Sequence, residues 1–221
     1  MKDGILVVNK PGGMTSHDVV EIVRRKLKIR RVGHAGTLDP IATGVLLILV
    51  GRCTKLFNRF SSFDKSYSAT LTLGQRTTSG DREGKVIQTQ DYTHITEDKV
   101  KDVLRSYIGR VYQTPPMVSA IKHKGKRLYS LARRGIEVAR QARAVEIKDL
   151  RLLEFSLPHV KFYLRCSKGT YVRQLAEDIA QDLGCVGHIS EITRESVGPF
   201  DLRQTISLSQ INENSIQPYL L

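Results

Sequence analysis

An α+β fold is predicted for this 221-residue chain by three observations. Some segments alternate apolar and polar residues with the period of a half-buried strand, while others repeat apolar residues every four positions, as on one face of a helix. The two kinds do not follow each other in the regular strand–helix–strand rhythm of a doubly wound parallel sheet. No stretch has the composition of an interdomain linker and no repeat of solenoid length occurs, so the expectation is one unit over 1–221.

The elements follow in order. Gly4 to Val8 reads as a strand, broken by Asn9-Lys10-Pro11-Gly12-Gly13. Ser16 can cap a helix running to about Ile29, with Val19, Val23 and Leu27 on its apolar face and Arg24, Arg25, Lys26, Lys28, Arg30 and Arg31 on the other face and end. Val45 to Val50 is an apolar run of buried-strand length, too short to span a bilayer. Tyr67, Ala69, Leu71 and Leu73 alternate with polar residues, as do Val160, Phe162, Leu164 and Cys166, and both segments are expected as half-buried strands. Thr96 can cap a helix carrying Val100, Val103, Leu104 and Tyr107. Thr170 can cap another, with Leu175, Ile179 and Leu183 on one face and Gly184 closing it. Ser207 and Gln210 fit a capping box.

Thirty-five Lys and Arg against 22 Asp and Glu give a net charge of +13, which favours a polyanionic partner. The basic runs Arg24–Arg31 and Lys122-His123-Lys124-Gly125-Lys126-Arg127 are candidate phosphate tracks, represented by Arg30, Arg31, Lys122, Lys124 and Lys126. Cys53, Cys166 and Cys185 are odd in number and far apart, which suggests neither a disulfide framework nor a zinc site, and each is expected as a small buried residue. With no signal-peptide pattern, P-loop, dinucleotide fingerprint or metal-ligand spacing, the expectation is a cytoplasmic monomer without membrane association, cofactor or metal.

The most informative stretch is Gly33 to Gly44, in which Asp39 is the only acid. Pro40 restrains the backbone of Asp39, and the loop leads straight into the apolar Val45–Val50 run. A carboxylate presented on such a loop suits nucleophilic or base chemistry. An Asx-turn would use the same residue merely to bond nearby backbone.

These residues resemble a known family. Asn9-Lys10-Pro11 with Gly13-Met14-Thr15-Ser16-His17, then Gly33–Gly44, Gly51-Arg52-Cys53-Thr54-Lys55, and Tyr67 with Leu73-Gly74-Gln75-Arg76-Thr77 are similar to the TruB-type pseudouridine synthases. The similarity continues through Gln113-Thr114-Pro115-Pro116 with Ser119-Ala120-Ile121-Lys122, and through Cys166-Ser167-Lys168-Gly169-Thr170-Tyr171-Val172-Arg173. The resemblance implies the pseudouridine synthase fold, a mixed, mostly antiparallel central sheet flanked by helices, with an RNA-gripping insert near 75–110. It implies Asp39 as the catalytic aspartate, Tyr67 as the tyrosine that stacks on the target base, and Arg173 as the arginine that pairs with the carboxylate. His34 matches a histidine that accompanies base flipping, Tyr171 a pocket residue, Ile192 an apolar wall of the uracil pocket, and Asp81 an acid that recognises T-loop nucleotides. Lys10 is implied as a support of the site.

The implied activity is isomerisation of uridine-55 in the tRNA T-loop to pseudouridine, by base flipping and without a guide RNA. Three routes are open to Asp39: attack at C1′, attack at C6, or removal of the C2′ proton. The chain departs from the family pattern at Val118, where an aromatic is common, and at Thr193, where a second arginine often stands beside Arg194. Relatives often continue into an RNA-binding domain of the PUA type, which is expected to be absent here. A guide-RNA-directed synthase and a catalytically idle RNA-binding protein are the alternatives.

Overall fold

A computed structural model describes residues 3–119, 121–123, 125–132 and 134–219. In chain order it contains strand β1 (Gly4–Lys10), helix α1 (Ser16–Leu27), β2 (Val32–His34), β3 (Thr43–Val50), α2 (Phe57–Ser61), β4 (Lys65–Leu73), β5 (Gln75–Thr77), β6 (Val86–Thr89) and α3 (Glu97–Ser106). There follow β7 (Gly109–Gln113), β8 (Lys122–His123), β9 (Lys126–Arg127), α4 (Leu128–Ala132), β10 (Arg143–Ser156), β11 (His159–Cys166), α5 (Val172–Asp182), β12 (Gly187–Val197) and β13 (Phe200–Asp201). The chain divides into two compact units, Met1–Ser68 with Glu191–Leu221, and Ala69–Ser190. Strands β4 and β12 each contribute residues to both.

In the first unit β1 pairs antiparallel with β3 from Gly4↔Val50 to Lys10↔Gly44, and β2 pairs antiparallel with the far end of β3. The C-terminal half of β12 runs parallel to β3 through Thr193↔Thr43 and Arg194↔Gly44. β3 is apolar along its length because it is buried on both faces, with Val45 through Val50 all essentially inaccessible. Ile5, Val7, Val45, Leu47 and Leu49 gather on one face with Cys53, Phe60 and Val197, each such side chain contributing roughly 1.5–3 kcal/mol by its burial. The outer edge of β1 is not open. Its Ile5 exchanges backbone hydrogen bonds with Gln217, and Asn9 N–H donates to Ile206, so the C-terminal segment covers a row of groups that would otherwise invite strand pairing.

In the second unit the strand order runs from the N-terminal residues of β12 through the C-terminal residues of β4 to β11, β10 and β7. β11 and β10 pair antiparallel, with two register shifts in β10, and β10 pairs antiparallel with β7. The alternation expected on β4 and β11 is realised: Ala69, Leu71, Leu73, Val160, Phe162, Leu164 and Cys166 are all buried. Helix α5 buries Leu175, Ala176, Ile179 and Ala180, and Gly184 closes it in the left-handed region at φ +82°. Gly187 is required for close packing, since a Cβ there would lie 2.6 Å from Leu71 Cδ1 and 3.0 Å from Ala180 Cβ. The three cysteines are buried, as expected.

Three expected helix ends and one capping motif differ. Thr15, not Ser16, caps α1: its hydroxyl accepts from Asp18 N–H while the Asp18 carboxylate accepts from Thr15 N–H at 2.8 Å. The helix stops at Leu27 because Lys28 turns into the left-handed region at φ 54°. Thr170 does not cap α5, since its hydroxyl donates to Ser167 O at 3.0 Å inside the preceding turn, and the cap position is held by Tyr171 with no capping bond from its side chain. The Ser207–Gln210 motif closes a turn rather than starting a helix, with the Gln210 side chain accepting from Ser207 N–H at 2.8 Å.

Helices α3 and α5 are joined by polar contacts. Tyr107 donates to the Asp182 carboxylate at 2.7 Å, and Lys99 Nζ donates to Leu183 O at 2.8 Å. Burial raises the Asp178 carboxyl above its ordinary value of 3.8; the Gln174 amide works against the rise and Asp182 adds to it. The folded state therefore binds this proton more tightly than the unfolded chain, and stability falls as pH rises from about 3.8 through the raised value. We expect Asp178→Asn to flatten that fall and to raise the melting temperature at pH 7, by about 2–4 °C for each kcal/mol relieved. Thermal melts of both proteins between pH 3.5 and 7.5, on the order of half-unit steps, check it.

Candidate active site

Asp39 stands half-buried in the segment between β2 and β3, and the backbone on both sides of it is held. On the N-terminal side, Leu38 N–H donates to Ser16 Oγ at 2.8 Å and Ser16 Oγ donates to Leu38 O at 3.1 Å, so one buried hydroxyl fixes both polar groups of one peptide residue. On the C-terminal side, Pro40 O accepts from Gly13 N–H at 2.9 Å and from Lys10 Nζ at 3.2 Å. Lys10 is completely buried, and its ammonium also donates to Met14 O at 2.6 Å and Pro11 O at 2.9 Å. An ammonium has three N–H donors and no acceptor, and three converging carbonyls offset much of the cost of taking its charge out of water. Ala42 N–H closes the turn onto Asp39 O at 3.0 Å. Lys10 and Ser16 thus tie the Asn9–Ser16 segment to the Asp39 loop.

Beneath this loop lies Arg194 of β12, only 1% exposed. Its Nε donates to Val45 O at 2.7 Å, Nη1 to Thr37 O at 3.3 Å and Nη2 to Gly36 O at 3.2 Å. Burial pushes the guanidinium down from its ordinary value, opposed by nearby Tyr67 and by the charge of Asp39. Gly44, beside Arg194 in the parallel register, has φ +99°, and a Cβ there would collide with the Arg194 carbonyl. Tyr67 is buried on β4 in phase with Ala69 and Leu71, as its spacing predicted, and Ile192 is buried two residues before Arg194 on the same face of β12. Thr193 pairs with Thr43 at 2.8 Å between hydroxyls, so where the family often has a second arginine this chain has a neutral link between β12 and the end of the Asp39 loop. His34 lies half-buried on β2, opposite Ile48.

The second unit holds Asp81, Tyr171 and Arg173. Asp81 is buried: one carboxylate oxygen accepts from Ser79 Oγ at 2.6 Å and from Glu83 N–H at 3.1 Å, which organises the 79–84 turn. Arg173, in the first turn of α5, is 4% exposed, donates to Ser79 O at 2.6 Å and Val118 O at 2.9 Å, and lies 3.8 Å from Asp81. The structure thus brings together two residues for which the family resemblance implies separate roles. Tyr171 is half-buried, and its backbone is held by the Gln113 amide, which accepts from Tyr171 N–H at 3.0 Å and donates to Tyr171 O at 3.3 Å.

Of the basic residues, Arg30, Arg31 and Lys126 are exposed, and Arg31 Nε donates to Thr54 Oγ1 at 2.8 Å. Lys124 and the side chain of Lys122 lie outside the described residues. Not every cation of the first basic run faces solvent without a partner: Arg24 donates to Glu21 at 2.6 Å and Val32 O at 2.8 Å, and Lys26 to Ser209 O at 2.9 Å. Among the described residues no group of three or more His, Cys, Asp or Glu could hold a metal ion, and no helix is long and apolar enough to cross a membrane.

Sequence reasoning missed three residues of this arrangement. Ser16 was expected as a helix cap, Gln113 carried no role, and Arg194 was noted only as the neighbour of Thr193. The signal for Arg194 was its phase, an arginine two residues beyond Ile192 on the inward side of a strand.

The mixed, mostly antiparallel sheet flanked by helices is that of the pseudouridine synthase fold. The chain superposes on a solved structure titled a Cbf5–Nop10–Gar1 complex with a TM-score of 0.73 at 29% identity, over 93% of this chain and 52% of that one. It superposes on another, titled an H/ACA RNP bound to a substrate RNA containing 2′-deoxyuridine, with a TM-score of 0.69 at 26% identity, over 93% and 51%. It thus spans about half the length of those solved chains. It is 45% identical over 219 residues to "tRNA pseudouridine synthase B" of Clostridium tetani, covering 99% of this chain and 76% of that protein. It is 44% identical over 209 residues to the protein of the same name in Opitutus terrae, covering 95% and 87%. The model of the TruB family pseudouridylate synthase N-terminal domain matches residues 24–172, and that of the tRNA pseudouridylate synthase B C-terminal domain matches 173–218. The chain belongs to the TruB family of pseudouridylate synthases, enzymes that form pseudouridine in tRNA.

The clamp on Leu38 is testable. Ser16→Ala leaves the buried Leu38 N–H and C=O without their side-chain partner, which should cost about 1–3 kcal/mol of stability. Because the same hydroxyl fixes the residue before Asp39, turnover on tRNA should fall as well, by about tenfold, at temperatures where the variant is fully folded. A urea titration and a single-turnover assay on the same preparation give the two numbers.

Proposed function

We propose that this enzyme isomerises uridine-55 of the tRNA T-loop without a guide RNA, with Asp39 as the catalytic carboxylate. The observation that carries this reading is the clamp: a half-buried carboxylate whose two flanking peptides are fixed by Ser16 and Lys10, with a buried arginine bonded to Gly36 O, Thr37 O and Val45 O on either side of it. Catalytic groups need such support, since small errors of placement cost large factors in rate.

In this reading the target uridine is flipped out of the stacked loop, at a cost of a few kcal/mol. Tyr67, Tyr171 and Ile192 receive the base, and His34 accompanies its exit. The N1–C1′ bond breaks, the detached uracil turns, and C5 joins C1′. No atom is gained or lost overall: the C5 proton leaves to a base, with the Tyr67 hydroxyl assigned beside that transfer, and the freed N1 takes up a proton from solvent. Arg173 pairs with the Asp39 carboxylate and Asp81 recognises T-loop nucleotides, as the family pattern assigns them. Phosphates are met by Arg30, Arg31, Lys122, Lys124 and Lys126. A guide-directed reading is kept in view by the Cbf5-containing complex, but the names of the 45% and 44% identical relatives favour action on tRNA directly.

The test is purified protein with an unmodified tRNA transcript and no other RNA or protein. Pseudouridine at position 55 is the expected outcome, and a need for added RNA would support the guided alternative instead. Asp39→Asn should lower the single-turnover rate by more than ~10³-fold while tRNA affinity stays within about threefold. Tyr67→Phe should keep binding and lose about 10²-fold in rate, and near-normal turnover would make the ring a platform only. Replacing Arg30 and Arg31 by Ala should reduce the slope of log affinity against log salt by up to about 2, with the single-turnover rate at saturation unchanged.

A further inference from the structure

We propose that Gln113 is a positioning residue for the isomerisation, its buried side-chain amide holding the backbone of Tyr171 in the one arrangement that receives the flipped uracil. The proposal rests on the reading of Tyr171 as a pocket residue. Gln113 is the last residue of β7 and is 3% exposed. Its Oε1 accepts from Tyr171 N–H at 3.0 Å and its Nε2 donates to Tyr171 O at 3.3 Å, although the two residues stand 58 positions apart in sequence. One planar amide thus takes both main-chain polar groups of a single residue, as the facing residue of an antiparallel strand would. Gln113 is itself anchored, since it lies opposite Arg143 in the antiparallel pairing of β7 with β10.

Tyr171 occupies the N-cap of α5, and its side chain makes no capping bond. A helix start of this kind is commonly closed from within, by a Glu or Gln three residues on whose side chain reaches back to the cap N–H. Gln174 stands at that position, but its amide is turned to the Asp178 carboxylate, to which it donates at 2.9 Å. The cap N–H goes to Gln113 instead. Tyr171 O also accepts from Leu175 N–H at 3.0 Å, the bond that opens the helix. Gln113 therefore fixes the residue at which the loop becomes helix, and with it the direction in which the Tyr171 side chain leaves the backbone. An amide does this without placing a charge in the interior, because it offers a donor and an acceptor side by side. Arg173, two residues further into the same helical turn, takes its place from the same anchor and donates to Ser79 O and Val118 O.

Gln113→Glu tests the proposal on an unmodified tRNA transcript. A carboxylate has nearly the shape of the amide and still accepts from Tyr171 N–H, but it cannot donate to Tyr171 O, whereas a protonated carboxyl can do both. Burial against a carbonyl oxygen raises the pKa of the new carboxyl, so its titration is expected between about pH 5.5 and 8. At about pH 8, where circular dichroism shows the variant folded, its kcat should lie about tenfold below the parent's with KM within about threefold. As pH is lowered to about 5.5, the ratio of its kcat to the parent's should climb to within about twofold of one. A residue that only stabilises the fold gives no such recovery in protein that is folded throughout. A ratio near one at every pH, or a lowered ratio that does not change with pH, overturns the proposal. If Gln113→Glu does not fold at about pH 8, Gln113→Asn decides. Its amide stops one methylene short of Tyr171, so kcat should fall about tenfold with KM within about threefold, and a parent-like kcat overturns the proposal. Tyr171→Ala is run alongside, with a loss in kcat of about tenfold or more expected. Should it turn over like the parent, the reading of Tyr171 as a pocket residue fails and this proposal with it. If Tyr171→Ala is impaired and Gln113→Glu turns over like the parent at every pH, the Gln113 proposal alone fails.

Discussion

The structure depends on the clamp that holds the residues on either side of Asp39. A loop residue ordinarily samples several backbone states, and fixing one costs roughly 1–2 kcal/mol per residue. Here the cost is met by two buried groups that come from other parts of the chain, the Ser16 hydroxyl on Leu38 and the Lys10 ammonium on Pro40. Both are placed by β1 and α1, and β1 is fixed in turn by its seven-residue antiparallel pairing with β3. The apolar core of the first unit and the placement of its single loop acid are therefore one problem, solved by the same strands.

Among the described residues of that unit two cations lie fully buried, Lys10 and Arg194, and both donate to main-chain carbonyls. Burying a charge seldom improves stability over an apolar side chain of the same volume. Their use here is directional. Donors of fixed geometry hold carbonyls in and around the Asp39 loop, as Ser16 does with a neutral hydroxyl. The second unit repeats the device with Arg173, whose guanidinium gathers Ser79 O and Val118 O with Asp81 nearby, and with Gln113, whose amide holds both backbone groups of Tyr171. Side-chain to main-chain bonds set the backbone of the candidate site residues in both units.

The sequence disclosed the fold well wherever burial follows a simple period. The alternation through Tyr67–Leu73 and Val160–Cys166, and the apolar Val45–Val50 run, correspond to strands with the expected faces buried. Helix ends were less legible, because Thr15 and Ser16, like Thr170 and Tyr171, are adjacent residues of similar capping ability. Which one caps depends on where the other hydroxyl is needed: Ser16 is taken by Leu38, and Thr170 by Ser167. The loop around Asp39 could be singled out from its glycines, proline and lone acid, but its supports could not. Ser16 and Arg194 reach it across 22 and more than 150 residues of sequence, and no local pattern encodes such a partner. The Asp81–Arg173 approach was hidden for the same reason, since only the packing of the 79–84 turn against α5 brings them close.

The central claim is that the Asp39 loop is organised before any RNA arrives. Amide hydrogen exchange of the RNA-free protein tests it most directly, read at Leu38, Ala42 and Gly13, whose N–H groups donate to Ser16 Oγ, Asp39 O and Pro40 O. The account predicts that these three amides exchange as slowly as those of β3, through opening of the whole unit. Exchange at the rate of an unprotected loop, slowing only when tRNA binds, would show that the RNA assembles the site and would contradict it.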